Sequence, residues 1–137
     1  MNRREIRDSA FKLVFEKLLR NDDLQELYDT AEEIDEISVN AEVKKIVEGT
    51  LEHSEEIDSI ISKYSRSRSI SRISKLNLAI LKIAIYESLY DENTPVNAAI
   101  SEAINLSDTY SFKEDTSFIN GLLGAFSRDM AKGSENA

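Results

Sequence analysis

The run Leu76-Asn77-Leu78-Ala79-Ile80-Leu81-Lys82-Ile83-Ala84-Ile85-Tyr86 decides the fold class. Only Asn77 and Lys82 in it are polar. A helix apolar on nearly all sides is a buried one, and this run is shorter than the ~18 residues that a membrane helix needs. The sequence therefore predicts a central core helix over 76–86, with the rest of the chain packed round it. Lys75 and Lys82, seven positions apart, lie on its one narrow polar stripe.

Working toward the N-terminus, residues 62–75 are serine-rich, basic and weakly periodic, and read as a connector with one short helical turn. Before it, Val43, Ile46, Val47, Thr50, Ile57, Ile60, Ile61 and Tyr64 follow helical spacing and predict one long third helix. Gly49 inside it marks close helix packing, and Asn40 is its N-cap. Leu24, Leu27, Tyr28, Ala31 and Ile34 predict a second helix with an acidic outer face. Ile6, Ala10, Leu13, Val14 and Leu18, widened by Phe11 and Phe15, predict a first helix from Arg3 to Arg20. Asn21-Asp22-Asp23 closes it.

Toward the C-terminus, Asp91-Glu92-Asn93-Thr94-Pro95 is a boundary, with Thr94 as N-cap and Pro95 as first helical residue. Val96, Ala99, Ile100, Ala103 and Leu106 carry a helix to about Tyr110. A last helix from about Asp115 carries Phe118, Ile119, Leu122, Leu123, Phe126 and Met130. Four glycines and one proline are too few for the tight turns that several strands need. The expected fold is all-α, a compact bundle of about six to seven helices. At 137 residues it forms one domain over 1–131, followed by a polar tail, 132–137.

Composition removes most chemistry. There is no Cys, hence no disulfide, thiol nucleophile or Cys-based zinc site. The single histidine, His53, excludes a paired-His metal site and reads as a helix-surface residue among acids. Asn120-Gly121-Leu122-Leu123-Gly124 lacks the Lys-Ser/Thr ending of a phosphate loop. Glu32-Glu33 and Asp35-Glu36 lack the alternating ligands and glycine of a calcium loop. No catalytic residue, metal or cofactor is expected. The N-terminus has no signal-peptide pattern, so a soluble cytoplasmic protein is expected.

The net charge of −9 is unevenly placed. Residues 1–20 carry net +3, residues 21–58 net −12, residues 59–82 six bases and no acid, and residues 83–137 net −6. So acidic a chain repels nucleic acid over most of its surface, and a polyanion must find the two basic blocks locally. In the first block, Arg3, Arg4 and Arg7 stand at a helix start, where the macrodipole disfavours cations by ~0.3–1 kcal/mol each. They serve either as a phosphate-binding group or as a frayed, solvated start. In the second, Lys63, Arg66, Arg68, Arg72 and Lys75 with Tyr64 could hold a single strand by charge and stacking, or form a solvated loop.

Four segments carry a resemblance. Arg3-Arg4-Glu5-Ile6-Arg7-Asp8-Ser9-Ala10-Phe11-Lys12-Leu13-Val14-Phe15 resembles the arginine-rich opening helix of the NusB family of bacterial antitermination factors. Ala79 to Glu87 is similar to that family's aliphatic, Tyr-Glu-ended central helix. Pro95-Val96-Asn97-Ala98-Ala99-Ile100-Ser101-Glu102-Ala103 and Phe118-Ile119-Asn120-Gly121-Leu122-Leu123 resemble two further family segments, in the family's order. Glu5 interrupts the arginines, Phe15 stands where Tyr is common, and Gly124 where an acid often follows.

The resemblance implies two small helical subdomains sharing one core. It implies binding of a boxA-type single-stranded element in nascent ribosomal RNA, pairing with the ribosomal protein NusE, and action on elongating RNA polymerase, without catalysis. It maps RNA contacts onto Arg3, Arg4, Arg7, Lys12, Phe15, Asn120 and Gly121, and the protein partner onto Lys82, Tyr86 and Glu87. On that mapping, Glu87→Lys weakens the partner complex and leaves the fold intact. Two alternatives stand beside it: a helical adaptor or homodimer with little RNA binding, and, since a NusB-like domain also prefixes some ribosomal RNA methyltransferases, an enzyme module.

Overall fold

The computed structural model describes residues 1–35, 37–66 and 68–136. Glu36 of the acidic cluster, Ser67 of the connector and Ala137 of the polar tail lie outside the described residues. Among the described residues all regular structure is helical: α1 (Arg3–Arg20), α2 (Leu24–Ala31), α3 (Ala41–Glu52), α4 (Ser54–Tyr64), α5 (Lys75–Tyr90), α6 (Val96–Tyr110) and α7 (Lys113–Asn136). One 3₁₀ turn, Ile70–Arg72, interrupts the connector.

Helix α5 is the axis of the bundle. Every residue from 77 to 87 is buried, and α5 touches α1, α3, α4, α6 and α7. It starts at Ser74, whose hydroxyl accepts the Asn77 N–H at 3.1 Å. Helices α1–α3 pack together on one side, α4, α6 and α7 on the other, so two subdomains share one core. Phe11, Val47, Ile61, Ile80, Ile119 and Leu123 belong to that single cluster. Full burial of each such side chain contributes roughly 1.5–3 kcal/mol.

Helix α1 spans its expected residues. Asn2 caps it by accepting the Glu5 N–H at 2.8 Å, and Asn21 ends it in the left-handed region at φ 51°, which Asn tolerates. Asn40 caps α3 by accepting the Val43 N–H at 2.8 Å. Gly49 is where α3 meets α5: a Cβ there would overlap the Tyr86 ring. The one amide in the central run, Asn77, is buried. Its Nδ2 donates to Asp115 Oδ1 at 3.0 Å and its Oδ1 accepts from Ser111 Oγ at 3.0 Å. It thereby ties the end of α6 and the start of α7 to α5.

Four boundaries differ from the sequence reading. The long third helix is two helices, broken at His53, where φ −97° and ψ 21° leave helical geometry. The apolar spacing continues across the joint, so periodicity does not reveal it. Helix α2 stops at Ala31; Glu32, Glu33 and Asp35 would extend it with anions at its negative end. Pro95, not Thr94, takes the N-cap position of α6, because the Thr94 hydroxyl donates to Asp91 Oδ2 at 2.7 Å instead. Helix α7 continues to Asn136, through most of the segment read as a polar tail.

Candidate nucleic-acid interface

The opening turns of α1 lie against the α5–α6 loop and α6, and this decides what its arginines do. Arg3 is exposed, yet Nη2 reaches Asp91 Oδ2 at 2.9 Å and the Thr94 hydroxyl, while Nη1 donates to the Asn93 carbonyl at 3.2 Å. Arg4, also exposed, forks onto Glu102 from Nε at 3.2 Å and Nη2 at 3.1 Å. Arg7, one turn on, differs from the expected phosphate-facing residue. It is buried and grips Glu87 through Nε at 2.7 Å and Nη2 at 2.6 Å, with Glu102 at 3.5 Å from Nη1.

Arg3, Arg4 and Arg7 thus each have a carboxylate partner from α5, the α5–α6 loop or α6. The clash of cations with the positive end of α1 is relieved by acids brought from far along the chain. Burial alone would lower the Arg7 pKa, but the hydrogen bonds and charge of Glu87, with Glu102, outweigh it and raise it. Asp91 is likewise pushed up by burial, yet held below the usual carboxylate range by the Thr94 hydroxyl, the Asn93 N–H and Arg3. Glu102 is held low first by the Arg4 hydrogen bonds.

Further along α1, Lys12 Nζ pairs with Asp8 Oδ2 at 3.0 Å. Asp8 Oδ1 accepts the Tyr110 hydroxyl at 2.7 Å, which ties α6 to this face. Phe15 is half-buried and stacks parallel to Phe11 at 6.1 Å between ring centroids. On α7, Asn120 and Gly121 are exposed, with open space beside the Gly121 Cα. A cleft of about 380 Å³ between α1 and α6 is lined by Arg4, Arg7, Glu102 and Asn105 among others.

The three residues mapped onto a partner offer little exposed area, although Tyr86 and Glu87 line a groove between α1, α3 and α5. Lys82, Tyr86 and Glu87 are all buried. Lys82 Nζ reaches Asp58 Oδ1 and Ser54 Oγ, both at 3.1 Å; Tyr86 packs on Gly49; Glu87 holds Arg7. The cause is that α5 has neighbours on every side, so its polar groups meet other helices rather than solvent. Among the described residues no group of three His, Asp or Glu side chains could hold a metal ion. No helix among them is long and apolar enough to cross a membrane.

The model of the NusB family matches residues 4–128. The chain belongs to the NusB family. It is 40% identical over 126 residues to the transcription antitermination protein NusB of Acetivibrio thermocellus, covering 90% of this chain and 87% of that one. In fold it is similar to a chain of a crystal structure of antitermination factors NusB and NusE in complex with double-stranded RNA. The TM-score is 0.81 at 27% identity, over 93% of this chain and 96% of that one. A structure of T. maritima NusB gives a TM-score of 0.80 at 29% identity, over 93% of this chain and 92% of that one.

The chain also exposes aromatic groups that sequence reasoning missed. Phe112, between α6 and α7, is 78% exposed. Tyr90, at the end of α5, stacks on His53 at 4.0 Å between centroids, and its hydroxyl donates to Glu56. Phe112 falls off both neighbouring apolar stripes, flanked by Ser111 and Lys113, and that was its signal. Tyr90 has none, since it continues the apolar run of α5.

Proposed function

We propose that this NusB-family chain is an RNA-binding transcription antitermination factor that binds a boxA-type single-stranded element of nascent ribosomal RNA together with the ribosomal protein NusE. It acts there on elongating RNA polymerase, in the cytoplasm, and catalyses no reaction itself. The observation that carries this reading is the family match along nearly the whole chain, joined to the fold shared with NusB in its complex with NusE and RNA. The local chemistry suits it. Arg3 and Arg4 are exposed at a helix N-terminus, where phosphates are favoured, and their partners Asp91 and Glu102 are anions that a phosphate can replace. Lys12, Phe15, Asn120 and Gly121 complete the proposed RNA face; Arg7 acts through its buried pair, as support for Arg3 and Arg4.

One observation favours a second reading, a helical adaptor or homodimer with weak RNA binding: the arginines are already neutralised within the chain. Fluorescence anisotropy with boxA-type and scrambled RNA, with and without NusE, separates the two. Preference for boxA that strengthens with NusE supports the antitermination reading. Equal, weak binding of both RNAs with NusE still bound supports the adaptor.

A further inference from the structure

The second basic block differs from the first in one respect. Among the described residues Arg66, Arg72 and Lys75 are exposed and make no ion pair. In a chain of net charge −9, these are cations left without anions, and the connector that carries them is not slack. The buried Ser65 donates its hydroxyl to the Arg68 carbonyl at 2.7 Å, and the Arg68 N–H returns to the Ser65 carbonyl at 3.0 Å. Arg66 rides on that closed turn. Ile73 is buried and Ile70 half-buried, which pins the 3₁₀ turn that bears Arg72.

The Arg68 guanidinium lies over the Phe118 ring at 4.2 Å, fixing the connector against the face of α7 that carries Gly121 one turn on. Lys75 opens α5, whose first turn contains no acid, so the helix dipole adds to the cations there. The nearby acids are engaged elsewhere. Asp129 accepts the Tyr64 hydroxyl at 2.6 Å, and Asp115 accepts from Asn77 at 3.0 Å and from the Phe112 N–H at 3.2 Å.

We propose that Arg66, Arg72 and Lys75 form a second phosphate-binding surface, which takes up single-stranded RNA continuing from the proposed contact at α7. The proposal rests on the RNA-binding reading above and extends it. Unpaired cations on a pinned backbone bind a phosphodiester chain without first releasing a carboxylate, whereas Arg3 and Arg4 must exchange one anion for another. This surface therefore supplies sequence-independent, salt-sensitive affinity, and the α1 face the positioning of the element.

The test uses the full chain and the triple variant Arg66→Ala/Arg72→Ala/Lys75→Ala. Anisotropy titrations over a salt series are run with a boxA-type RNA alone and with the same RNA extended by about ten nucleotides on either side, a length on the scale of single-strand binding sites. The parent should bind the extended RNA more tightly. The variant should lose that advantage, and its slope of log K against log salt on extended RNA should fall by about 2, at ~0.7 per phosphate. Its melting temperature should match the parent's.

An unchanged slope with RNA binding intact overturns the proposal. So does a loss confined to NusE binding, which would make the strip a protein-docking surface. A parent that binds neither RNA overturns the RNA-binding reading itself and this extension with it.

Discussion

Arg7 of α1 and Glu87 of α5 meet in two parallel hydrogen bonds, with 8% and 2% of their side chains exposed. The geometry is the bidentate, charge-assisted one that is strongest among such pairs. Buried ion pairs contribute little over an apolar pair of equal volume, but breaking one strands a charge in the interior. The pair therefore fixes how α1 docks on α5 more than it adds to total stability.

Glu87→Ala should cost ~3–5 kcal/mol, the range for removing one partner of a buried pair. Glu87→Lys, which the sequence reading expects to leave the fold intact, should prevent stable folding by placing two cations in one interior site. Arg7→Met combined with Glu87→Leu should recover most of the loss. Urea denaturation of the three variants checks this. Parent-like stability of Glu87→Ala would show that the pair holds nothing in place.

Gly49→Ala should destabilise. Alanine is favoured over glycine inside a helix by up to ~1 kcal/mol, but the added Cβ would overlap the Tyr86 ring. Overpacking of that kind costs ~1–3 kcal/mol. A lower melting temperature is expected; a higher one would mean that Tyr86 can step aside.

Ile80→Ala and Ile83→Ala should each cost ~2–5 kcal/mol, since both side chains are essentially without solvent exposure and α5 has helices on all sides. Calorimetry on each variant tests it. Variants that melt with the parent would remove α5 from the centre of the core.

Acid should weaken the docking of the arginine end. Asp91 and Glu102 both titrate below the usual carboxylate range in the folded chain. A depressed folded pKa gives stability that is fully present above the unfolded value, about 4, and is lost as pH falls through the folded one. Asp91→Asn/Glu102→Gln should therefore melt at a lower temperature than the parent at pH 7 and show a flatter decline between pH 4 and the acid limit. Melting curves across that interval decide; parallel declines would show that these ion pairs carry no pH dependence.

The helices could be read from the chain because apolar spacing and capping agree. Asn40 caps, Asn21 ends α1, and within the apolar run 76–86 residues 77–86 are buried as their composition demands. The break at His53 could not, because the apolar stripe stays in phase across it. The site was harder still. Arg3, Arg4 and Arg7 were visible as a basic group, but their partners Asp91, Glu102 and Glu87 lie eighty or more positions away, and spacing says nothing about contacts at that range. Lys82 and Glu87 were mapped to a partner by the resemblance alone, and spacing could not show that each side chain is buried against a counter-charge of this same chain.

Asn77 has a consequence of a different kind. Its side chain gives a hydrogen to Asp115 and takes one from Ser111, so the position needs a donor and an acceptor on one short stem. Aspartate would present oxygen to oxygen at Asp115, leucine would orphan both neighbours, and glutamine would bring its amide one methylene too far into a filled space. In the most apolar helix of the chain, the residue with the narrowest choice of replacement is the polar one. A single amide group thus joins the aliphatic side chains in holding the start of α7 on α5.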